Sequence, residues 1–209
     1  MNPPKFSIIT PTILRETADR TMASVDAQTS DDYEHIVIVD NHSFPEAPER
    51  WQHARRFIGY CGFRHNDCGA SCRNIAAVHW AQGEYIVYLD DDDYYVPDAI
   101  ETLARHVGGE NFGIFPIMMG GARWLQLPPG RCRTASCQIY HRRLIGDEVI
   151  AMPPNQKVYS DDSAWAGTLA ERFGYRVLPC HELVVVEYGR NSSNLPGGPP
   201  KIEMPMITL

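Results

Sequence analysis

The sequence predicts an α/β protein with a mostly parallel central sheet and helices on both faces. Three observations predict it. Strand-type apolar runs alternate with helix-type patterns four times in the first half. Several of these runs end on polar or acidic residues. One of them, residues 86–89 (IVYL), opens directly into four consecutive aspartates, Asp90 to Asp93. Right-handed crossovers between parallel strands bring every carboxyl end to one rim, and ligands of open α/β sheets bind beyond that rim.

In chain order, residues 6–10 (FSIIT) read as a strand that Pro11 stops. Thr12 to Arg15 then turn the chain into a helix of about four turns, with Ala18, Met22 and Val25 on its apolar face. Residues 35–39 (HIVIV) are a second strand ending on Asp40 and Asn41. After a loop interrupted by Pro45 and Pro48, residues 49–57 read as helical and residues 59–64 (GYCGFR) as a third strand ending near His65 and Asn66. Gly69, Ala70 and Ser71 lead into a helix carrying Arg73, Asn74, Ile75 and Val78, closed by Gly83. The run 86–89 is too short for a buried helix and rich in β-branched and aromatic residues, so it is a buried strand. Pro97 starts a helix with Ile100, Leu103, Ala104 and Val107 at helical spacing, and Gly108 ends it.

The second half changes character. Residues 112–119 (FGIFPIMM) read as one strand in which Pro116 marks an edge or a bulge. Residues 124–127 and 137–140 are short strands around a Pro128-Pro129-Gly130 turn. Asp161, Asp162 and Ser163 open a helix with Trp165, Leu169 and Phe173 on one face and Gly174 at its end. Residues 184–186 are a last strand, and no internal repeat is present. From Leu195 the composition (LPGGPP) is that of a linker. The expected organisation is one domain over residues 1–194, with a Pro/Gly-rich tail over 195–209 and a further domain or an oligomer contact beyond it.

Composition narrows the function classes. A chain of 209 residues buries roughly 70% of its unfolded surface and needs no disulfide or structural metal to fold. The net charge of −7, spread along the chain, speaks against a nucleic-acid-coating protein, which would carry a basic stripe. The N-terminus has no apolar signal region and no window approaches about 18 apolar residues, so the chain reads as soluble, without a membrane span, and cytoplasmic. The six cysteines lie at irregular spacings with no CxxC pair. That supports reduced thiols over a zinc site, although His65, Cys68 and Cys72 lie close in sequence.

The four aspartates carry the strongest chemical signal. Two carboxylates about 4 Å apart repel by roughly 4 kcal/mol at an effective dielectric near 20, so a run of them at a buried strand's mouth needs a compensating charge. A divalent cation is the natural one. A solvated acidic loop is the plain alternative. The spacing is unlike an EF-hand, whose sixth loop position is Gly, because the sixth residue from Asp90 is Tyr95.

The segments SIITPTILR, SVDAQTSDDYEHIVIVDNHS, GASCRN and GEYIVYLDDDDYYVPD occur in this order and resemble the inverting glycosyltransferases of family 2. The resemblance covers residues 6–194 and is most specific before Asp98. It implies the GT-A fold, with a Rossmann-like sheet, a nucleotide-sugar-binding half over residues 1–108 and an acceptor-side half over 109–194. It also implies transfer of a sugar from a nucleotide-diphosphate sugar, UDP above other nucleotides, to a hydroxyl of a glycan or polysaccharide precursor.

By the same resemblance, LDDDD matches the DxD element. Asp90 and Asp92 would then hold Mn²⁺ or Mg²⁺ against the donor diphosphate, with Asp91 and Asp93 facing the sugar or capping the next helix. Hard carboxylate oxygens suit these ions. Thr10, Pro11 and Thr12 match the first-strand turn that borders the nucleoside, and Asp40 the aspartate that binds the base. Arg73, Arg15 and Asn66 match donor-side positions. SDDSAW resembles the segment that supplies the catalytic base, with Asp161 in that register and Asp162 as its rival. Helix capping is the alternative role for either. His181 is a candidate metal ligand, and His141 and Arg190 are further candidates.

Two rivals belong to other classes. A nucleotidyltransferase should carry a Gly-rich, arginine-containing loop after the first strand, and TPTILRET has no glycine. A sugar-nucleotide-binding module without turnover would share the donor site.

Overall fold

The computed structural model describes residues 3–41, 46–62, 64–65, 67–128, 134–145 and 161–187, the last segment as backbone alone over 161–163. Its elements are β1 (Phe6–Thr12), α1 (Ala18–Asp26), β2 (Tyr33–Val39), a 3₁₀ turn (Glu49–Trp51), β3 (Arg56–Tyr60), α2 (Ala70–His79), β4 (Tyr85–Tyr88), β5 (Tyr94–Tyr95) and α3 (Ala99–His106). The second half adds β6 (Phe112–Ile114), β7 (Ile117–Met119), β8 (Ala122–Trp124), β9 (Gln138–His141), α4 (Asp161–Phe173), β10 (Arg176–Val177) and β11 (Val184–Val186).

The main sheet runs β10-β6-β9-β4-β1-β2-β3. Strand β1 sits between β2 and β4, parallel to both, and β2 is parallel to β3. Strand β9 is antiparallel to β4 and to β6, so the sheet is mixed but mostly parallel. Side chains alternate across it. Ile8, Val87 and Leu89 pack on one face with Val25 of α1 and Ile100 and Leu103 of α3. On the other face Ile9, Ile86 and Tyr88 pack with Ala76 and Ala77 of α2 and Trp165 and Leu169 of α4. Each such fully buried Leu, Ile or Val contributes about 1.5–3 kcal/mol by leaving water.

Several boundaries differ from the sequence-based expectation, each for a physical reason. Pro11 does not stop β1, which continues to Thr12 in register with Val39. Ile9 O accepts from Leu89 N on the β4 side and Thr12 O from Asp40 N on the β2 side. Alternation therefore turns the nitrogen of Pro11 toward β4, beyond the last β1–β4 pair Ile9–Tyr88, where no donor is needed.

Helix α1 starts later and is shorter than expected. Thr12 Oγ1 accepts from Leu14 N at 2.9 Å and Leu14 adopts φ +66°, a local turn incompatible with helix. Of the helix expected over 49–57 only the 3₁₀ turn forms. Arg56 and Phe57 belong instead to β3, pairing with His35 and Ile36. The run 112–119 is two strands. Pro116 ends the first, lacking an N–H and restricting Phe115 before it, and β7 then joins a second sheet, β5-β11-β7-β8. That small sheet packs Tyr95, Ile117 and Val184 into the core under α1 and α3. Residues 195–209 lie outside the described residues.

Candidate active site

The carboxyl ends of β1, β2 and β4 converge on one rim. Tyr88 ends β4 and the chain turns at once, Asp93 N donating to Asp90 O at 3.1 Å. The four carboxylates leave this tight turn in different directions. Asp90 accepts from Arg73 of α2 at Oδ1 and from Thr134 at Oδ2, 2.9 Å. Its backbone N–H reaches Ser136 Oγ at 3.0 Å.

Asp91, 3% exposed, accepts from Thr12 Oγ1 at 2.8 Å and lies 3.5 Å from Arg15 Nε. Asp92 faces outward, its side chain 29% exposed, with Arg15 Nη1 at 3.3 Å. Burial, and then the charges of Asp90 and Asp91, push the Asp92 carboxyl up to about 6 against the opposing pull of Arg15. Burial, with the charge of Asp90, outweighs Arg15 and Thr12 at Asp91, whose carboxyl is also raised.

Asp93, 2% exposed, lies 3.1 Å from Thr134 Oγ1. Burial first, then the charges of Asp90 and Asp92, lift its carboxyl well above the usual range. The Thr134 hydroxyl has one proton and accepts from Ser136 N at 2.9 Å. That one proton is offered between Asp90 Oδ2 and Asp93 Oδ2. Asp91 and Asp93 are therefore interior supports of the turn, and it is Asp98 that directly precedes helix α3.

Helix α2 is aimed at the rim by Gly69. This residue has φ +83°, and a Cβ there would lie 2.7 Å from Pro11 Cγ, so only glycine lets the helix start this close to β1. Asp67 caps the helix, its Oδ2 accepting from Ser71 N at 2.9 Å. Arg73 is only 4% exposed. It donates to Cys68 O at 2.9 Å and lies over the Tyr88 ring, 5.5 Å from its centroid. A buried guanidinium is thus fixed against Asp90, where an isolated helix arginine would ordinarily face water.

At the end of β2, Asp40 is 5% exposed. Its Oδ1 accepts from His65 N at 2.8 Å and lies 3.0 Å from His65 Nδ1. Cys61 and Cys72 stand beside this pair, their sulfurs 3.2 Å apart. Among the described residues, Asp40, Cys61, His65 and Cys72 are the one grouping of three or more such side chains whose ligand atoms all lie within 4.8 Å of one another.

The structure thus brings Thr12, Arg15, Arg73, Asp90, Asp91 and Asp92 together, with Asp40 at the neighbouring strand end. It turns Thr10 away, the hydroxyl lying in the core 3.0 Å from His35 Nε2. Pro11 is a packing partner of Gly69. His181 is not brought to the acidic run. It pairs with Asp98 at the start of α3, Nε2 to Oδ1 3.2 Å. His141 lies opposite Tyr85, at the far end of β4 from the rim. Asn66 and Arg190 lie outside the described residues, as do the side chains of Asp161 and Asp162, although the helix they open is described. Thr134 and Ser136 have no signal in the sequence, because an isolated Thr-x-Ser far from the aspartates gains meaning only when β9 folds beside β4. A separate open hollow of about 610 Å³ beside β3, lined by Glu46, Arg56 and Tyr60 among others, carries none of these carboxylates.

The mixed, mostly parallel sheet with helices on both faces is that of the GT-A fold. S. aureus TarS 1–349 superposes with a TM-score of 0.67 at 19% identity, over 87% of this chain and 60% of that one. Its complex with UDP-GlcNAc gives 0.65 at 17% identity, over 92% and 62%. Residues 7–147 match Glycosyl transferase family 2, and the chain belongs to that family. WcaA of Escherichia coli (strain K12), named as a glycosyl transferase of colanic acid biosynthesis, is 32% identical over 113 residues, which is 50% of this chain and 38% of WcaA. The chain therefore spans less than two thirds of each of these proteins. No helix among the described residues is long and apolar enough to cross a membrane.

Proposed function

We propose that this chain is the donor-binding and catalytic domain of an inverting glycosyltransferase. It moves a sugar from a nucleoside-diphosphate sugar, UDP foremost, to a hydroxyl of a glycan or polysaccharide precursor. One observation carries the reading: in a family 2 chain, Arg73 holds Asp90 while Arg15 leaves Asp92 turned outward at the rim. Structures of TarS with UDP and with UDP-GlcNAc support the donor class. Residues 1–108 are read as the donor half and 109–194 as the acceptor side.

The donor set fits a hard divalent cation. Asp90 and Asp92 are the partly exposed carboxylates of the run, and the burial and charge repulsion that raise the Asp92 pKa are offset by a dication beside it. Asp90 and Asp92 would hold Mn²⁺ or Mg²⁺, leaving other positions to water and diphosphate oxygens. When bound, the ion neutralises charge on the departing diphosphate.

The remaining roles fall to the chain's own groups. Asp40 accepts from the base, and Arg15 and Arg73 place positive charge beside the donor. Asp161 or Asp162, at the start of α4, takes the acceptor hydroxyl's proton, a contribution of about 10²–10⁴-fold for such a base. A single displacement inverts the anomeric carbon. The test is UDP release from a panel of UDP-sugars with manganese and with a chelator. Release that requires the metal is expected. Silence with every sugar nucleotide, together with pyrophosphate release from a nucleoside triphosphate, ends the proposal in favour of nucleotidyl transfer.

A further inference from the structure

A second constellation lies beside the rim and does not use the acidic run. Cys61 follows the last residue of β3, Cys72 lies in the first turn of α2, Asp40 follows the last residue of β2, and His65 comes from the loop between β3 and α2. Asp40 and Cys72 are buried, and Cys61 and His65 are partly buried. We propose that Asp40, Cys61, His65 and Cys72 form a four-ligand site for a zinc-class divalent cation.

The donor set is the first reason. Two thiols, an imidazole and a carboxylate suit a borderline-soft ion and not the hard ion read for Asp90 and Asp92. Spacing is the second. Zn–S bonds of about 2.3 Å at tetrahedral angles put two sulfurs about 3.8 Å apart, and here they are 3.2 Å apart. They must separate by only about 0.6 Å to hold the ion, but close by about 1.2 Å to reach a disulfide bond length near 2.0 Å. The other ligand atoms already lie within 4.8 Å of each other and of the sulfurs, so modest contraction completes the set.

Charge is the third reason: the buried Asp40 carboxylate lies within 4.8 Å of both sulfurs and of the His65 ring nitrogen, a gathering of electron-rich ligand atoms that a dication between them stabilises. Asp67 adds an independent sign of unmet charge: it is 5% exposed, and its Oδ1 has no hydrogen-bond partner. Metal binding releases the thiol protons and ties the ends of β2 and β3 to α2. It also shares Asp40 with the base-binding role, so zinc and nucleotide would be coupled through that residue.

The site is tested on the reduced full chain, loaded with zinc or cobalt and freed of excess metal. One equivalent of zinc should be retained. The cobalt form should show a sulfur-to-cobalt charge-transfer band and the intense visible bands of tetrahedral geometry. Cys61→Ser with Cys72→Ser should abolish both. His65→Ala, the gentler change, should weaken cobalt binding by at least about 10–100-fold, the cost of losing even an outer-shell partner. Asp92→Ala should leave the cobalt bands intact, which separates this site from the acidic run and from the fate of the transferase reading. Absence of retained metal, bands that survive the cysteine changes or vanish with Asp92→Ala, or a resting chain two hydrogens lighter with Cys61 and Cys72 linked would each overturn the proposal.

Discussion

Arg73 is buried against Asp90, and this pair joins α2 to the turn that follows β4. The arginine is held from three sides: by the Cys68 carbonyl, by the face of Tyr88 and by Asp90. Arg73→Met should therefore lower stability by about 1–3 kcal/mol. That is below the 3–5 typical of a fully buried pair because Asp90 keeps some access to water. Urea midpoints measure this, and adding Asp90→Asn should recover part of the loss.

Asp92→Ala should behave oppositely toward the fold. Its carboxyl is raised to about 6 by burial and by Asp90 and Asp91, so its charge is a strain on the folded chain at neutral pH. Urea midpoints should be unchanged within about 0.5 kcal/mol, or higher.

Gly69→Ala should disturb the rim from behind. A methyl group 2.7 Å from Pro11 Cγ, on a backbone at φ +83°, should cost about 1–3 kcal/mol. It should also weaken nucleotide binding, because α2 must withdraw from β1 and take Arg73 with it. Gly167→Ala, inside α4 where a Cβ meets nothing within 4 Å, is the control: it should leave nucleotide binding unchanged and raise stability by up to about 1 kcal/mol.

His35 supplies a pH dependence. Arg56 Nε donates to His35 Nδ1 at 3.0 Å, so Nε2 carries the proton and donates to Thr10 Oγ1 at 3.0 Å. Burial first, then the charges of Arg56 and His53, hold its pKa well below 6.5. The folded state refuses a proton that the unfolded chain takes near pH 6.5, so this stability is present above about pH 6.5 and is lost as pH falls below it. The raised aspartates push the other way, so the difference between wild type and His35→Gln isolates the effect. The gap in urea midpoint should narrow from about pH 7 to about pH 5, and a constant gap would refute a neutral buried His35.

Asp161→Asn should keep donor binding and lose sugar transfer. If transfer survives it and is lost with Asp162→Asn, the base is one residue further along α4.

What the sequence revealed and what it hid divide along physical lines. The parallel half was legible because each buried strand is a local apolar run and each rim residue follows its strand directly, as Asp40 follows β2 and Asp90 follows β4. Pro116 was visible only as an edge or bulge within one strand, because its consequence, a second sheet built from β5, β7, β8 and β11, depends on pairings between segments as distant as Tyr95 and Val184. Thr10 looked like a rim residue, yet the two-residue period of β1 turns its hydroxyl inward to His35. Thr134, Ser136 and the meeting of Cys61 with Cys72 were illegible for the same reason: their partners come from other strands and helices, and no local pattern encodes them.

The central claim is that Asp90 and Asp92 join a metal ion to a nucleotide diphosphate. Calorimetric titration of UDP into the chain, with manganese and with a chelator, tests it most directly when repeated on Asp92→Ala. Binding that needs manganese and disappears in the variant is the predicted result. UDP binding of equal strength without the metal, or undiminished in the variant, would contradict it.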